Sequence, residues 1–526
     1  MLDCMKHVVP RFWPPIAGVL AATIGLAVGE LVGSLADAAG PVVVVGDGVV
    51  DRVPPGNKTW AIQTFGNNDK NALILGVVAI TLVYAALVGR AAARRFLNGV
   101  FGVVMFAGVG VAAALSGRSP SAKDTLGIVS AFAATIGALW ILIGRLDPDR
   151  ELSESDDATT TKASTVVGRR QFLAMGGGAT AAAATSFGLS RVLQDDVVAA
   201  TAKPIPESVR RLPVTNVAAA DSALKRPPFF SPNDDFYRID TALVVPRVDA
   251  STWSLKIVGR VERELTISYE DIRSGKFGPL IEHDCTLMCV SNEVGGDLVG
   301  NARWTGVRLR DILNKAGVRD GATQVFVTSV DGFTAGFPTQ VALDGREALL
   351  AIGMNGQPLP ARHGFPARLV VPGIYGYVSA VKWISEIKLT TFEDDAGYWI
   401  PRGWAAIAPI KTASRIDVVG SGGRIGGNLV PGRVPIAGVA WAQHVGIAKV
   451  EVQIDDQPWR VANLGDDGGI DTWRQWTLMW DATPGPHQVR VRATDATGFT
   501  QREERVAVAP DGAEGWHTVR VRVADA

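Results

Sequence analysis

Residues 354–373 read Met354-Asn355-Gly356-Gln357-Pro358-Leu359-Pro360-Ala361-Arg362-His363-Gly364-Phe365-Pro366-Ala367-Arg368-Leu369-Val370-Val371-Pro372-Gly373, with Val381-Lys382-Trp383 shortly after. Arg368–Val371 is a short β-rich run bounded by Gly and Pro, the pattern of much of the chain beyond Pro227. Taken singly, His363 reads as a turn residue, Arg368 as a strand-surface charge and Lys382 as a solvated cation. Upstream lies Thr286-Leu287-Met288-Cys289-Val290-Ser291-Asn292, followed by Ala302-Arg303-Trp304-Thr305-Gly306. Cys289 is one of only three cysteines, with Cys4 and Cys285, too few for a disulfide framework. A thiolate flanked by apolar residues suits a soft metal, and a small buried core residue is the plain alternative.

Working outward, β-rich runs fall at Trp253–Val258, Leu265–Ser268, Gln324–Ser329 and Val381–Leu389. Helical patterns interrupt them at Leu309–Ala316 and Asp344–Ala351, so this part is a mixed α+β domain. From Thr412 the pattern is purely β, with strands near Arg433–Trp441, Ala448–Ile454, Trp473–Trp480, Gly485–Thr494 and Thr518–Val523. That spacing predicts an Ig-like sandwich.

The signature 354–373 with Val381-Lys382-Trp383, and the segment around Cys289, resemble the sulfite oxidase family. Residues 227–395 resemble its molybdopterin-binding domain and 396–526 the dimerisation domain that follows it, which implies a homodimer. The resemblance implies a molybdenum–molybdopterin cofactor with Cys289 as the metal ligand, a soft thiolate suited to an all-sulfur equatorial set. It implies that His363 and Arg368 bind the molybdopterin, Arg368 through its terminal phosphate, and that Lys382 adds a second positive charge. Asp331 would accept hydrogen bonds from the pterin amino groups, and Asn233 and Arg238 would meet the cofactor from the N-terminal loop of the domain. Tyr375 and Tyr377 would line the substrate mouth.

Two departures bear on the substrate. Sulfite oxidases carry a tyrosine just before the Met-Asn-Gly motif, and here Ile352 stands there; they place arginines after the metal cysteine, and here Ser291-Asn292-Glu293-Val294 supplies a carboxylate. A dianion would lose a donor and a favourable charge, so sulfite is disfavoured.

The first part of the chain is of another kind. Apolar stretches at Ile16–Ala36, Asn71–Gly89, Leu97–Leu115, Leu126–Gly144 and Phe172–Ser190 are long enough to cross a bilayer or nearly so. Residues 1–148 thus form a four-helix transmembrane region, 149–171 a polar cytoplasmic linker, 172–190 a fifth transmembrane segment and 191–226 an extracytoplasmic linker. Lys and Arg are concentrated at one set of flanks, which places the catalytic part outside the cytoplasm. Arg169-Arg170-Gln171-Phe172-Leu173 resembles a twin-arginine translocation signal, a route that exports folded, cofactor-loaded proteins. Glu30 falls within the first span. None of the six histidines lies in a span, which excludes a bis-histidine haem there.

The 52 basic and 52 acidic residues balance, so no bulk field points to nucleic acid. No CxxCH, iron–sulfur spacing or dinucleotide fingerprint occurs. The expected protein is therefore a multi-domain, multi-pass cytoplasmic-membrane oxidoreductase: a helical bundle, an α+β molybdopterin domain and an Ig-like sandwich. Its reaction is two-electron oxo-atom transfer on a small molecule other than sulfite, with a separate quinone or cytochrome as redox partner. The alternative within the enzyme class is a reductase of methionine sulfoxide or other S- or N-oxides. A cofactor-less envelope binding or scaffold protein is opposed by the joint presence of Cys289, His363, Arg368 and Lys382.

Overall fold

The computed structural model describes residues 12–36, 38–65, 69–117, 122–144, 201–207, 209–210, 227–420 and 429–525. The chain divides into two compact units, one of Met1–Val197 with Thr241–Val245, the other of Val198–Asp240 with Pro246–Ala526. Phe172–Ser190, the Arg169-Arg170 pair and the linker at 149–171 lie outside the described residues, as does most of the linker at 191–226.

The first unit is helical: α1 (Trp13–Leu35), α2 (Pro41–Arg52), α3 (Pro55–Phe65), α4 (Asp69–Arg94), α5 (Phe96–Leu115) and α6 (Asp124–Gly144). Four of these, α1, α4, α5 and α6, are long and apolar enough to cross a membrane, and they contain the first four expected spans to within a residue. The segment between the first two spans, expected as loop, instead forms α2 and α3. Pro41 sits in the first turn of α2, where its missing N–H costs nothing, and a run of valines follows. At 12 residues α2 is about 18 Å long, too short to cross a bilayer core of about 30 Å. The Glu30 carboxylate lies against Gly40 and beside the Val42 N–H at the start of α2, a packing position.

Without a hydrophobic drive between helices in lipid, close packing needs small residues. A Cβ on Gly18 would fall on the Ala85 carbonyl oxygen, and one on Gly89 on the Pro14 carbonyl, so α1 and α4 meet backbone to backbone. Gly25 and Gly29 do the same against Thr135, Ala131 and Gly127 of α6.

The second unit holds all the named strands: β1 (Ser254–Gly259), β2 (Leu265–Ser268), β3 (Leu280–Met288), β4 (Val299–Arg308), β5 (Gln324–Ser329), β6 (Thr334–Pro338), β7 (Leu349–Met354), β8 (Gln357–Pro358), β9 (Arg368–Val370) and β10 (Ile384–Thr390) come first. They form one sheet ordered β2-β1-β10-β5-β6 and another ordered β3-β4-β7-β8, with β9 on β7. A core that includes Leu255, Ile257, Trp304, Phe337, Ile352 and Leu369 joins them. The helix at Leu309–Ala316 stands where the sequence places it. The helix expected at Asp344–Ala351 does not form: a short helix ends at Leu343 and β7 begins at Leu349, because a six-residue run of entirely buried side chains fits a central strand.

Beyond these lie β11 (Ala413–Val419), β12 (Gly432–Trp441), β13 (Ile447–Ile454), β14 (Arg460–Val461), β15 (Asn463–Leu464), β16 (Arg474–Ala482), β17 (Gly485–Asp495) and β18 (His517–Val523). Two antiparallel four-stranded sheets, β11-β12-β16-β15 and β14-β13-β17-β18, share a core that includes Ile436, Val450, Trp476, Val489 and Val521. Each strand expected beyond Thr412 is present to within two residues.

Replacing Gly18 by Leu is expected to force α1 from α4 and lower the melting temperature of the detergent-solubilised protein by several degrees, whereas Gly76→Leu, with open space around it, leaves it unchanged. Thermal melting followed by circular dichroism checks this.

Candidate functional site

The site is assembled where β3 ends and the 354–373 signature folds back on it. Asn355 and Gly356 form the turn between β7 and β8 with φ of 51° and 78°, the left-handed pair that an Asn-Gly hairpin favours. Asn355 is also a tie. Its Oδ1 accepts the Arg303 N–H (2.9 Å), and its Nδ2 donates to the Ser231 carbonyl (3.0 Å) and to Asn233 Oδ1 (2.8 Å). The loop that carries Asn233 and Arg238 is thereby pinned to the signature.

After a 3-10 turn at Ala361–His363, Gly364 has φ of 112°, and a Cβ there would meet Arg368 at 3.0 Å and Lys382 at 3.2 Å. Only glycine allows that approach without strain. Trp383 closes the turn from the other side, its Nε1–H donating to the Ala361 carbonyl (2.7 Å).

His363 is 1% exposed. Its Nε2–H donates to the Asn233 carbonyl (2.8 Å) and its ring meets Phe236 edge to face. Burial, with Arg368, Lys382 and Arg362 nearby, pushes its pKa down to about 3, so it is a neutral imidazole at physiological pH.

Arg368 is 5% exposed. Its guanidinium lies over the Trp304 ring (4.9 Å) and donates to the carbonyls of Leu369 (3.3 Å), His363 (3.1 Å) and Ala380 (3.4 Å). Among the described residues it has no carboxylate partner. Burial lowers its pKa to about 10, which leaves it charged.

Lys382 Nζ donates to Asp240 Oδ2 (2.7 Å), which also accepts from Arg238 Nε (2.9 Å). Cys289 follows β3 directly; its N–H donates to the Leu298 carbonyl and its carbonyl accepts the Asn292 N–H. Burial raises the thiol pKa, and contacts from Ser291 and the charge of Lys382 work against that rise. Cys285 and Cys289 are both free thiols.

The structure thus brings Cys289, Asn233, Arg238, His363, Arg368 and Lys382 into one neighbourhood. Asp331 builds a turn: its Oδ1 accepts the Phe333 N–H (3.2 Å) in the β5–β6 connection, and Val330 beside it donates to the Trp383 carbonyl (2.8 Å). Tyr375 is fully buried, with its hydroxyl against Gly512, and the Lys411 N–H lies near without reaching hydrogen-bond geometry. Tyr377 is 9% exposed and donates to the Ala405 carbonyl (2.5 Å). In this conformation both tyrosines pack against later segments of the chain, Tyr377 against Trp404 and Ala405 and Tyr375 against Gly512. Ile352 is likewise a core side chain, and Glu293 is exposed on the loop after Cys289.

Sequence reasoning missed Tyr237 and Asp240. Tyr237 is half-buried beside Cys289 and Arg368, and burial pushes its pKa up. Asp240 carried one signal, its position two residues after Arg238.

These residues fit a molybdopterin. Among the described residues no group of three or more His, Cys, Asp or Glu could hold a metal alone, so Cys289 would need ligands from outside the protein. A buried, charged Arg368 without a carboxylate suits an anionic phosphate.

Comparison with known proteins agrees. Residues 242–399 match the family described as oxidoreductase molybdopterin binding domain. Human mitochondrial sulfite oxidase is 28% identical over 344 residues, 56% of this chain and 62% of that protein. The match therefore spans less than two thirds of the sulfite oxidase. The uncharacterized oxidoreductase YuiH of Bacillus subtilis strain 168 is 33% identical over 185 residues, 35% of this chain and 88% of that one. The crystal structure of the sulfane dehydrogenase SoxCD from Paracoccus pantotrophus aligns at 21% identity and a TM-score of 0.48, covering 62% of this chain and 92% of that chain.

The depressed pKa of His363 sets a pH dependence. Between its ordinary value of 6.5 and about 3 the unfolded chain binds a proton that the folded chain does not. The stability of the neutral state is complete above about pH 6.5 and is lost as pH falls toward 3. The melting temperature is expected to fall from pH 7 to pH 5, and His363→Gln to make that slope shallower; calorimetry at each pH reads it out.

Proposed function

The chain belongs to the sulfite oxidase family of molybdopterin-binding oxidoreductases, and on that premise we propose that it is a membrane-anchored, extracytoplasmic enzyme acting on a small substrate other than sulfite. The observation that carries the reading is the buried Arg368 cation, without a carboxylate partner among the described residues, in the same neighbourhood as a buried Cys289 thiol. When bound, the molybdenum–molybdopterin group supplies two-electron oxo-atom transfer.

The residues of this chain hold and shape that site. Cys289 would ligate the metal, and the nearby Lys382 charge favours its thiolate form. Arg368 would bind the terminal phosphate, and Trp304 and the three carbonyls keep its fork in place. Neutral His363, fixed through Nε2–H on the Asn233 carbonyl, would meet the pterin without adding charge. Asn233 and Arg238 would contact the cofactor from the N-terminal loop and Asp331 from the β5–β6 turn. Tyr375 and Tyr377 would reach the substrate only after the later segments packed on them move.

Domain limits of 227–395 and 396–526 go with this reading, as does an Ig-like, dimerisation-type role for the two C-terminal sheets. Four apolar helices support anchoring. The arginine distribution supports an extracytoplasmic catalytic part, and a fifth crossing at 172–190 would deliver it there. The redox partner is a separate quinone or cytochrome. The absence of a sulfite-gripping arginine after Cys289 favours an S- or N-oxide, methionine sulfoxide included, as substrate.

Metal analysis of the full chain from a molybdenum-cofactor-competent host tests the reading. About one molybdenum per chain is expected in wild type, and at least about tenfold less in Arg368→Gln, which removes the charge-assisted phosphate contact. Assay with sulfite, methionine sulfoxide and dimethyl sulfoxide should show turnover with a sulfoxide and little with sulfite. A wild type purified without molybdenum would sink the reading.

A further inference from the structure

Three cations, Arg368, Lys382 and Arg238, lie in this neighbourhood, and they are not equivalent. Arg368 is deep, held by carbonyls and Trp304. Lys382 and Arg238 instead converge on one carboxylate oxygen, Asp240 Oδ2, at 2.7 and 2.9 Å. The Asp240 side chain is 4% exposed, that of Lys382 9% and that of Arg238 33%. We propose that Asp240 is a specificity-determining residue: by engaging both Lys382 and Arg238 it cancels positive charge beside Cys289 and tunes the site to an uncharged oxo-bearing substrate instead of a dianion.

The electrostatics follow from the arrangement. One carboxylate shared by two cations leaves the trio with a single positive charge. A dianion seeking Lys382 or Arg238 would have to displace a carboxylate already desolvated and doubly paired, and broken buried pairs are costly. An uncharged sulfoxide or N-oxide presents one polar oxygen and demands no such exchange. Glu293, exposed on the loop that follows Cys289, adds a second negative group on the same loop as the metal-ligating cysteine. Lys382 keeps its electrostatic influence on Cys289 while paired, since Asp240 fixes the ammonium in place. Asp240 therefore acts on the substrate partly through Arg238 and Lys382, as a positioning residue for both.

The inference rests on the molybdopterin reading above, and metal analysis separates the two before any titration: wild type without molybdenum fails that reading and not this one. With molybdenum-loaded full-length protein in detergent, sodium sulfate serves as an unreactive tetrahedral dianion, titrated calorimetrically at constant ionic strength. Asp240→Asn is expected to bind sulfate at least about tenfold more tightly than wild type, because the carboxylate that repels the anion and offsets the cations is gone. Asp240→Glu, which restores the carboxylate, should behave as wild type. Sulfate binding in wild type as tight as in Asp240→Asn overturns the proposal. So does loss of molybdenum from a folded Asp240→Asn, which would make Asp240 a cofactor-holding residue. If Asp240→Asn does not fold, wild type against Arg238→Gln decides: equally weak sulfate binding in both supports the proposal, and a tenfold drop in Arg238→Gln overturns it.

Discussion

The second unit depends on keeping the Arg368 guanidinium charged in its interior. An ion stripped of water costs several kcal/mol even after relaxation, and here the compensation is three carbonyl oxygens and the face of Trp304, with no carboxylate among the described residues. Much of the local fold serves that arrangement. The left-handed Gly364 lets the chain double back so that Arg368 and Lys382 lie against the same turn. Trp383 and Asn355 lock that turn to its neighbours. His363 stays neutral beside the cation, which avoids a second buried charge.

A cation held this way is poised for a phosphate, and that links the packing of the domain to its cofactor. Opposite charge is placed nearby with restraint. Asp240 engages Lys382 and Arg238 and leaves Arg368 for the ligand. On β3 and β4 a separate bidentate pair, Arg303 with Asp284 (2.7 and 2.9 Å), fixes the register of the strand that precedes Cys289. The thiol is thus presented from the first residue after an anchored strand.

The four long apolar helices were legible because their apolar runs of about twenty residues carry almost no charge, and the β-strands beyond Thr412 because alternation and turn residues agree. Strand β3 was not, since Glu282, His283 and Asp284 make it look polar; their burial is paid back by Arg303 and Asp471, which lie far away in sequence. Helices α2 and α3 were hidden by their shortness. As candidates for the site, His363, Arg368 and Lys382 were readable from a motif whose residues stand close in sequence, and Cys289 from a separate segment upstream. Asp240 and Tyr237 were not, because their roles arise only when the loop at 231–240 is folded onto the signature. The covering of Tyr375 and Tyr377 was equally invisible, being a contact with segments more than twenty residues on.

The central claim is that Cys289 is the protein's ligand to molybdenum. X-ray absorption at the molybdenum edge of the loaded full-length protein tests it directly. The account predicts a sulfur shell containing a protein thiolate beside the dithiolene sulfurs, with one sulfur scatterer fewer in metal-loaded Cys289→Ser. An identical sulfur shell in wild type and Cys289→Ser would contradict it.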